Sequence, residues 1–443
     1  MAAAAAAATD DDDDMGLDDT DAAAADANVG GTTTTAETWT VSVWTDPGKE
    51  VEDGAPPLWE RRLVTPNIKL VRGGDLEGIS RGGGAGGPPG DGAADYPAAN
   101  AHVDANANTS SFDASAYFAS LRTRRDGRVA LLTAKELPST QNLVQENTPS
   151  AAATAAAAAA AALPPGVVCV ADLQVNGRGR GGNVWTSPPG CLMFSLLTTH
   201  KEGRTLPFLQ YIATMAAVEA IQEAADVAMA EASRPGSGFR RGTGRTVDVR
   251  IKWPNDLYSG GLKIGGVLCT STYSNGAFDV IVGVGINLDN AEPTTCVNRI
   301  IEERLVREGL PPPPQSSPPL TRERLLAGFM NRFEALCGLL AAGGGFAPLE
   351  ESYLRQWLHT DQEVSLVEVK QEKGVGDETG SGGGGGGSGS GGVEKLVKLV
   401  VKGVTSTGYL LAVDAEGERY ELHPDGNSLD FFKGLVRKKL PRR

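Results

Sequence analysis

Hydrophobic and polar residues alternate over 37–44 (ETWTVSVW), the period-two pattern of a strand with one buried face. The chain then drifts into Gly/Pro/Asn-rich sequence, and ordered patterning resumes at Ser111. Residues 112–121 (FDASAYFASL) carry apolar side chains at helical spacing, with Asp113 placed to cap the N-terminus. Residues 129–132 read as a short strand, and 136–147 (ELPSTQNLVQEN) as a loop that turns into a helix at Ser139 and Thr140. The runs 167–173 (VVCVADL) and 191–197 (CLMFSLL) have the continuous apolar character of buried strands. The longest helical pattern is 206–233, with Leu209, Ile212, Met215 and Ala216 on one face. Residues 247–253 (VDVRIKW) alternate as a strand and end in the turn Pro254-Asn255-Asp256. Strands are predicted at 262–273 and 278–286, with Asn275-Gly276 between them as a hairpin signal. A loop at 311–319 precedes helices over 321–340 and 348–357. From 363 the texture becomes short strands, at 363–368, 393–401, 408–413 and 419–422, which predicts a compact β barrel.

Composition divides the chain. Its 443 residues would allow two or three domains, but 57 glycines and long alanine runs cannot build a core, so roughly 300 residues are expected to fold. The predicted layout is an acidic, Ala-rich disordered head at 1–36, and a weak N-terminal module with a Gly-rich linker at 37–110. A large domain at 111–360 follows, with an Ala-rich insertion at 148–165, and then a small domain at 361–443 with a Gly/Ser insertion at 372–392. A formal charge of −14 argues against nucleic acid as a partner, because phosphate contacts need a basic face. Five cysteines without a CxxC pair fit neither a zinc site nor a disulfide framework, and point to a reducing compartment. No run approaches the ~20 apolar residues of a membrane span. The N-terminus has the layout of neither a signal nor a transit peptide, so the cytoplasm is expected, or the plastid if the true N-terminus differs. A monomer is the working expectation.

Candidate chemistry centres on Gly177-Arg178-Gly179-Arg180-Gly181-Gly182, which satisfies GxGxxG after a predicted strand. A dinucleotide fold would need a helix to start within the glycines, and Asn183-Val184-Trp185-Thr186-Ser187-Pro188-Pro189 cannot start one. An RGG-type RNA-binding tract repeats in disordered sequence, whereas this one is single and lies between strands. Two readings remain: a phosphate-binding loop with two arginine forks, and a glycine-rich connection with solvated arginines.

Taken with it, the ordered motifs LPST, GRGRGGNVW, SPPGC, KWPND, KIGGVL and VGVGIN resemble the biotin protein ligases, or holocarboxylase synthetases, over about 112–437. GRGRGGNVW is the eukaryotic form of the loop, and CLMFS with YELHPDGNSLDFFKGLVR is similar to the plant and green-algal branch. The resemblance implies an α+β fold. Its catalytic domain has a mixed sheet with flanking helices, is class II synthetase-like, and is followed by a small C-terminal SH3-like β barrel. It implies that biotin and ATP form biotinyl-5′-AMP with Mg²⁺ on the polyphosphate. Biotin then passes to a lysine on the biotin carboxyl carrier domain of a carboxylase such as acetyl-CoA carboxylase. By the same resemblance, Ser139, Thr140 and Gln174 hold the ureido ring, and Gly266 and Gly283 let backbone approach biotin. Gly177, Arg178 and Arg180 cover the carboxylate and α-phosphate, and Lys263 bridges the same oxygens. Asn255, Asp256 and Asn287 line the nucleotide side, with Trp185 packed over the adenylate. Lys263, Arg178 and Arg180 are the expected catalytic residues, and no protein ligand to a metal is assigned. Gly181 and Asn183 stand where bacterial relatives often carry basic residues, and no helix-turn-helix is visible before 112. The alternatives are a lipoate ligase, whose pocket needs no ureido donors, and a non-enzymatic biotin-domain binding module, which would not need Lys263 or the loop arginines.

Overall fold

One strand, Val167–Arg178, shows how the molecule is layered. In the computed structural model its side chains alternate between two buried clusters: Val168 and Val170 enter one, and Val167, Cys169 and Ala171 the other. A strand covered on both faces reads as an unbroken apolar run, which is why 167–171 shows no polar alternation. The structure describes residues 39–44, 68–72, 112–148, 163–233, 245–290, 292–314, 318–370, 393–423, 427–430 and 435–438. The predicted head at 1–36, most of the alanine insertion, the Gly/Ser insertion and the basic tail after 438 lie outside them.

The main sheet is mixed and has ten strands. In chain order these are β1 (Trp39–Trp44), β2 (Ile68–Arg72), β3 (Ala130–Leu137), β4 (Val167–Arg178), β5 (Val184–Ser187), β6 (Cys191–His200), β7 (Arg250–Lys252), β8 (Asp256–Ser259), β9 (Leu262–Ser274) and β10 (Ala277–Asn287). Their order across the sheet is β2-β1-β3-β4-β6-β10-β9-β8-β7, with β5 folded back on β4. β3 and β4 run parallel, as do β1 and β2, and the other pairs are antiparallel. Strand 39–44, read in the sequence as part of a weak N-terminal module, is hydrogen-bonded into this sheet through β3, and Trp44 Nε1 donates to Thr133 Oγ1 at 3.0 Å. The Asn275-Gly276 hairpin forms as predicted, with both residues at positive φ (49° and 82°).

Six helices clothe the sheet among the described residues: α1 (Ala114–Ser120), α2 (Thr140–Glu146), α3 (Phe208–Ala232), α4 (Val297–Arg307), α5 (Arg322–Ala341) and α6 (Ala347–Gln356). Asp113 caps α1 as predicted, accepting from Ala116 N at 3.0 Å. α3 is buried around most of its circumference, because α5 packs over it while its other side lies on the sheet. α2 covers the opposite face, where Leu143 and Val144 join the second cluster. α4 lay outside the predicted elements, although Val297, Ile301 and Leu305, all buried, repeat at the four-residue spacing of a helix face.

A second sheet of six strands follows α6. It comprises β11 (Glu363–Lys370), β12 (Val393–Val404), β13 (Leu410–Val413), β14 (Arg419–Leu422), β15 (Asn427–Asp430) and β16 (Leu435–Lys438), in the order β14-β13-β12-β11-β16-β15. It touches the main core at the turn before β13, where the Tyr211 hydroxyl donates to the Gly408 carbonyl.

Phe329 of α5 is fully buried, edge-on to Phe194 at 4.9 Å and stacked on Phe333 at 5.7 Å. Phe329→Ala should cost about 3–5 kcal/mol, the range for a buried aromatic whose cavity cannot collapse, measured as a shift in the urea unfolding midpoint at unchanged slope.

Candidate active site

The N-terminus of α2 provides the polar floor. Ser139 caps the helix, which brings Thr140 and Gln141 beneath β6 and β10. Gln174, on β4, accepts from Thr140 N at 2.7 Å and lies 3.1 Å from Thr140 Oγ1. The Thr140 and Ser195 hydroxyls are 2.9 Å apart, and Ser195 Oγ donates to Gln141 Oε1 at 3.3 Å. Gln141 Nε2 donates in turn to Thr270 Oγ1 at 3.0 Å. Buried hydroxyls and amides must be satisfied, and here they satisfy one another in one connected chain.

The glycine/arginine segment is less of a loop than its composition predicts. Gly177 and Arg178 remain in β4, and only Arg180–Gly182 forms a single 3₁₀ turn before the chain returns as β5. Arg178 Nη1 donates to Asn142 Oδ1 at 3.0 Å and Gln145 Oε1 at 3.2 Å, so neutral amides position this guanidinium. Arg180 Nη1 donates to Asn255 Oδ1 at 3.3 Å, joining this arm to the turn after β7.

The opposite wall comes from β8, β9 and β10. Lys263 Nζ pairs with Asp256 Oδ1 at 2.9 Å and lies 5.5 Å from the centre of the Trp185 ring. Asn255 Nδ2 donates to the Val267 carbonyl at 2.7 Å and fixes the turn against β9. Trp185 lies against Gly285, where a Cβ would come within 2.8 Å of the indole. Its Nε1 is buried with no hydrogen-bond partner among the described residues. At Gly283 a Cβ would collide with Gln141 Oε1, so a side chain here would push that amide out of its place in the floor.

These parts enclose a cavity of ≈ 270 Å³. Of the predicted site residues, Ser139, Thr140, Gln174, Arg178, Arg180, Trp185, Asn255, Asp256, Lys263, Gly266 and Gly283 line it. Two do not. Gly177 is spent on the β4–β5 pairing, where a Cβ would meet the Trp185 carbonyl at 2.6 Å. Asn287, expected on the nucleotide side, is buried and donates from Nδ2 to Thr294 Oγ1 at 3.1 Å, and Thr294 donates to the Lys263 carbonyl at 2.7 Å. It therefore supports the backbone of Lys263 from behind. Gln141 and Ser195 are site residues that the motifs did not single out, although Gln141 directly follows LPST and Ser195 ends CLMFS. Three cations (Arg178, Arg180, Lys263) against one carboxylate (Asp256) give the lining a formal charge of +2 in a chain of −14, which marks an anion site.

The turn 253–256 is braced from below. Trp253 N donates to His359 Nε2 at 2.9 Å, and Trp253 Nε1 donates to Tyr211 Oη at 2.6 Å. His359 Nδ1 lies 2.8 Å from Gln362 Oε1, which places the ring proton on Nδ1 and leaves Nε2 free to accept.

A family model described as the biotin/lipoate A/B protein ligase family matches residues 144–287, the span from α2 to the end of β10. Biotin–protein ligase 1, chloroplastic, of Arabidopsis thaliana is 42% identical over 74% of this chain and 73% of its own length. Biotin–protein ligase 2 of the same plant is 42% identical over 74% of this chain and 82% of its own length. The human biotin–protein ligase is 29% identical over 74% of this chain and 37% of its own length. The chain belongs to the biotin–protein ligases. Its activity is the ligation of biotin to protein, and the plant-type resemblance of its motifs agrees with the Arabidopsis matches.

Burial, assisted by the Lys252 charge and opposed by the Gln362 hydrogen bond, pushes the pKa of His359 down to about 4. The ordinary value of about 6.5 holds in the unfolded chain, so the unfolded state takes up the proton first as pH falls. The His359 contribution is whole above pH 6.5 and is lost as pH falls towards 4, on the order of 3 kcal/mol over that window. In His359→Gln that part of the pH dependence should vanish. A difference in unfolding free energy between the two proteins that stays constant from pH 7 to pH 4 would remove His359 as its source.

Proposed function

We propose that biotin and ATP meet in this cavity, with biotin's ureido ring on the Ser139, Thr140 and Gln174 floor and the nucleotide towards Asn255 and Asp256. The observation that carries the reading is the convergence of Arg178, Arg180 and Lys263 on one cavity whose floor is a neutral network of hydroxyls and amides. A ureido ring needs neutral donors and acceptors at close range, whereas a carboxylate meeting a phosphate needs cations.

A biotin carboxylate oxygen attacks the α-phosphorus, the bond to the bridging oxygen breaks, and pyrophosphate leaves. The side-chain nitrogen of an unprotonated acceptor lysine then attacks the acyl carbon, AMP departs with the electron pair of the acyl–oxygen bond, and the nitrogen gives up one proton to solvent as the amide forms. Both steps proceed without a covalent bond to the enzyme, so the residues act by charge and position. Lys263 is placed to bridge the carboxylate and α-phosphate, and Arg178 and Arg180 to shield the same oxygens. Trp185 covers the adenylate, and Gly266 admits the ligand to the sheet surface, whereas the space at Gly283 is taken by the Gln141 amide. Asp256 carries a carboxylate of the lining but is paired with Lys263, a donor set that suits a Mg²⁺ held mainly by the polyphosphate. When bound, that ion supplies neutralisation of the phosphate charge.

The acceptor is a biotin carboxyl carrier domain. The two-domain reading, catalytic over 111–360 and SH3-like barrel over 361–443, assigns the second sheet to the barrel. The compartment is read as cytoplasm, with the plastid as the alternative raised by the name of one Arabidopsis relative. No helix among the described residues is long and apolar enough to cross a membrane. The deciding assay incubates the protein with biotin, Mg-ATP and a purified biotin carrier domain, with lipoate as competitor. Transfer of lipoate in place of biotin would favour the lipoate ligase alternative.

An ammonium about 4 Å from an anion contributes roughly 4 kcal/mol at an effective dielectric of 20, about a thousandfold in rate. Lys263→Ala should therefore lower biotin-dependent pyrophosphate release by up to about a thousandfold and leave the unfolding midpoint near that of the parent. Near-normal release would reject the role. Arg180→Gly removes the tie to Asn255, so adenylate should escape and label bystander proteins. Labelling confined to the carrier domain would show that Arg180 does not retain it.

A further inference from the structure

A second cavity, of ≈ 520 Å³, opens at the far end of β8. Asp256 begins this strand in the first cavity, and Ser259 ends it in the second, three residues or about 10 Å away. Four arginines line it: Arg245 and Arg250 from the chain entering β7, and Arg304 and Arg307 from one face of α4. Its lining carboxylates are Asp248 and Glu303, so four cations and two anions leave a formal +2.

The carboxylates nearby pair with two of the four guanidinium groups, those of Arg250 and Arg304, and leave Arg245 and Arg307 without a carboxylate partner among the described residues. Asp248 pairs with Arg250 at 2.7 Å, but Glu303 pairs at 3.1 Å with Arg299, which does not line the cavity. Arg304 shares its Nη2 with Glu308 at 2.7 Å, yet its Nε is buried without a hydrogen-bond partner among the described residues. A buried donor left unpaired costs about 1–3 kcal/mol unless something completes it. Arg307 is exposed and makes no ion pair among the described residues. Arg245 donates to the carbonyls of Val249 and Arg355, which fixes it in place. Burial first, then the neighbouring Arg250 charge, lowers its pKa, with Asp248 opposing and Arg355 adding to the effect.

We propose that this second cavity is a binding site for compact, multiply charged phosphate anions. Guanidinium forks match phosphate oxygens in geometry and charge. The volume lies in the range of small-ligand sites, but Val247 and Ile300 are its apolar lining residues, and among the described residues no aromatic ring lines it. That lining favours a ligand that is mostly phosphate over one that stacks a base. Adenylation releases such a molecule about 10 Å away; this source rests on the reaction proposed above, whereas the site itself does not.

Inorganic pyrophosphate is the probe, titrated calorimetrically into the full chain at constant ionic strength, with citrate as a carboxylate polyanion for comparison. Arg307→Gln, at an exposed position, should weaken one binding component about tenfold or more, and Arg250→Gln with Arg307→Gln should abolish it. Arg178→Gln should leave that component intact, and Arg307→Gln should keep the parent's biotin transfer rate and unfolding midpoint. Isotherms that the Arg250/Arg307 changes do not alter would overturn the site. Citrate binding as tightly as pyrophosphate would overturn its phosphate character. Either failure would leave biotin transfer unaffected, so it would be separate from a failure of the adenylation reading.

Discussion

The site exists because one strand, β10, leaves side chains out where other parts of the chain must lie down. Gly283 and Gly285 stand two apart on β10 and so face the same way. One receives the amide of Gln141 and the other the indole of Trp185, at distances no Cβ would permit. The α2 floor and the β5 arm thus close on the sheet at backbone distance. Without that double approach Trp185 would be lifted away from Lys263, and the Ser195–Gln141–Thr270 chain would lose its middle member.

A second dependence runs through the turn 253–256. Its polar residues face Lys263 and Arg180, while its Trp253 is held by His359 and Tyr211. Tyr211 is anchored in turn to Gly408, and Gln362, the partner of His359, is joined through its own carbonyl to Val401 N at 2.9 Å. The second sheet is therefore hydrogen-bonded to the structure that positions Asn255 and Asp256. Disturbance of the 404–410 turn would be felt at the Asn255–Asp256 wall of the cavity before it reached the α2 floor, because the two walls hang from different elements.

Much of this was legible in the sequence because the chemistry lay in short, contiguous motifs at strand ends. LPST, KWPND, KIGGVL and VGVGIN carry their residue types beside one another, and resemblance fixed their company. Long-range partners left weaker traces. Asn287 sits in a motif, yet Thr294, seven residues on, turns its amide away from the cavity. β1 looked detached because Gly/Pro-rich sequence separates it from β3, and chain distance says nothing of hydrogen bonding across a sheet edge. β5 and β8, at four residues each, are too short for a periodicity to register. The Arg245, Arg250, Arg304 and Arg307 cluster is split between segments more than fifty residues apart, each unremarkable alone.

The arginine arm illustrates how position decides what a charge can do. Arg178 and Arg180 are two residues apart, but they are held by different walls, one by the amides of α2 and the other by Asn255. A guanidinium held by neutral amides keeps its full charge for a substrate anion, whereas Lys263 shares its charge with Asp256 at 2.9 Å. Transfer of Lys263 from that carboxylate to a phosphate exchanges one ion pair for another, so its net gain is smaller than the bare Coulomb value. Arg178, held by the Asn142 and Gln145 amides and in no ion pair among the described residues, undergoes no such exchange. In the reaction proposed above, anion capture would then fall mainly to Arg178, and Lys263, placed between two anions, would act at the point where charge moves from carboxylate to bridging oxygen.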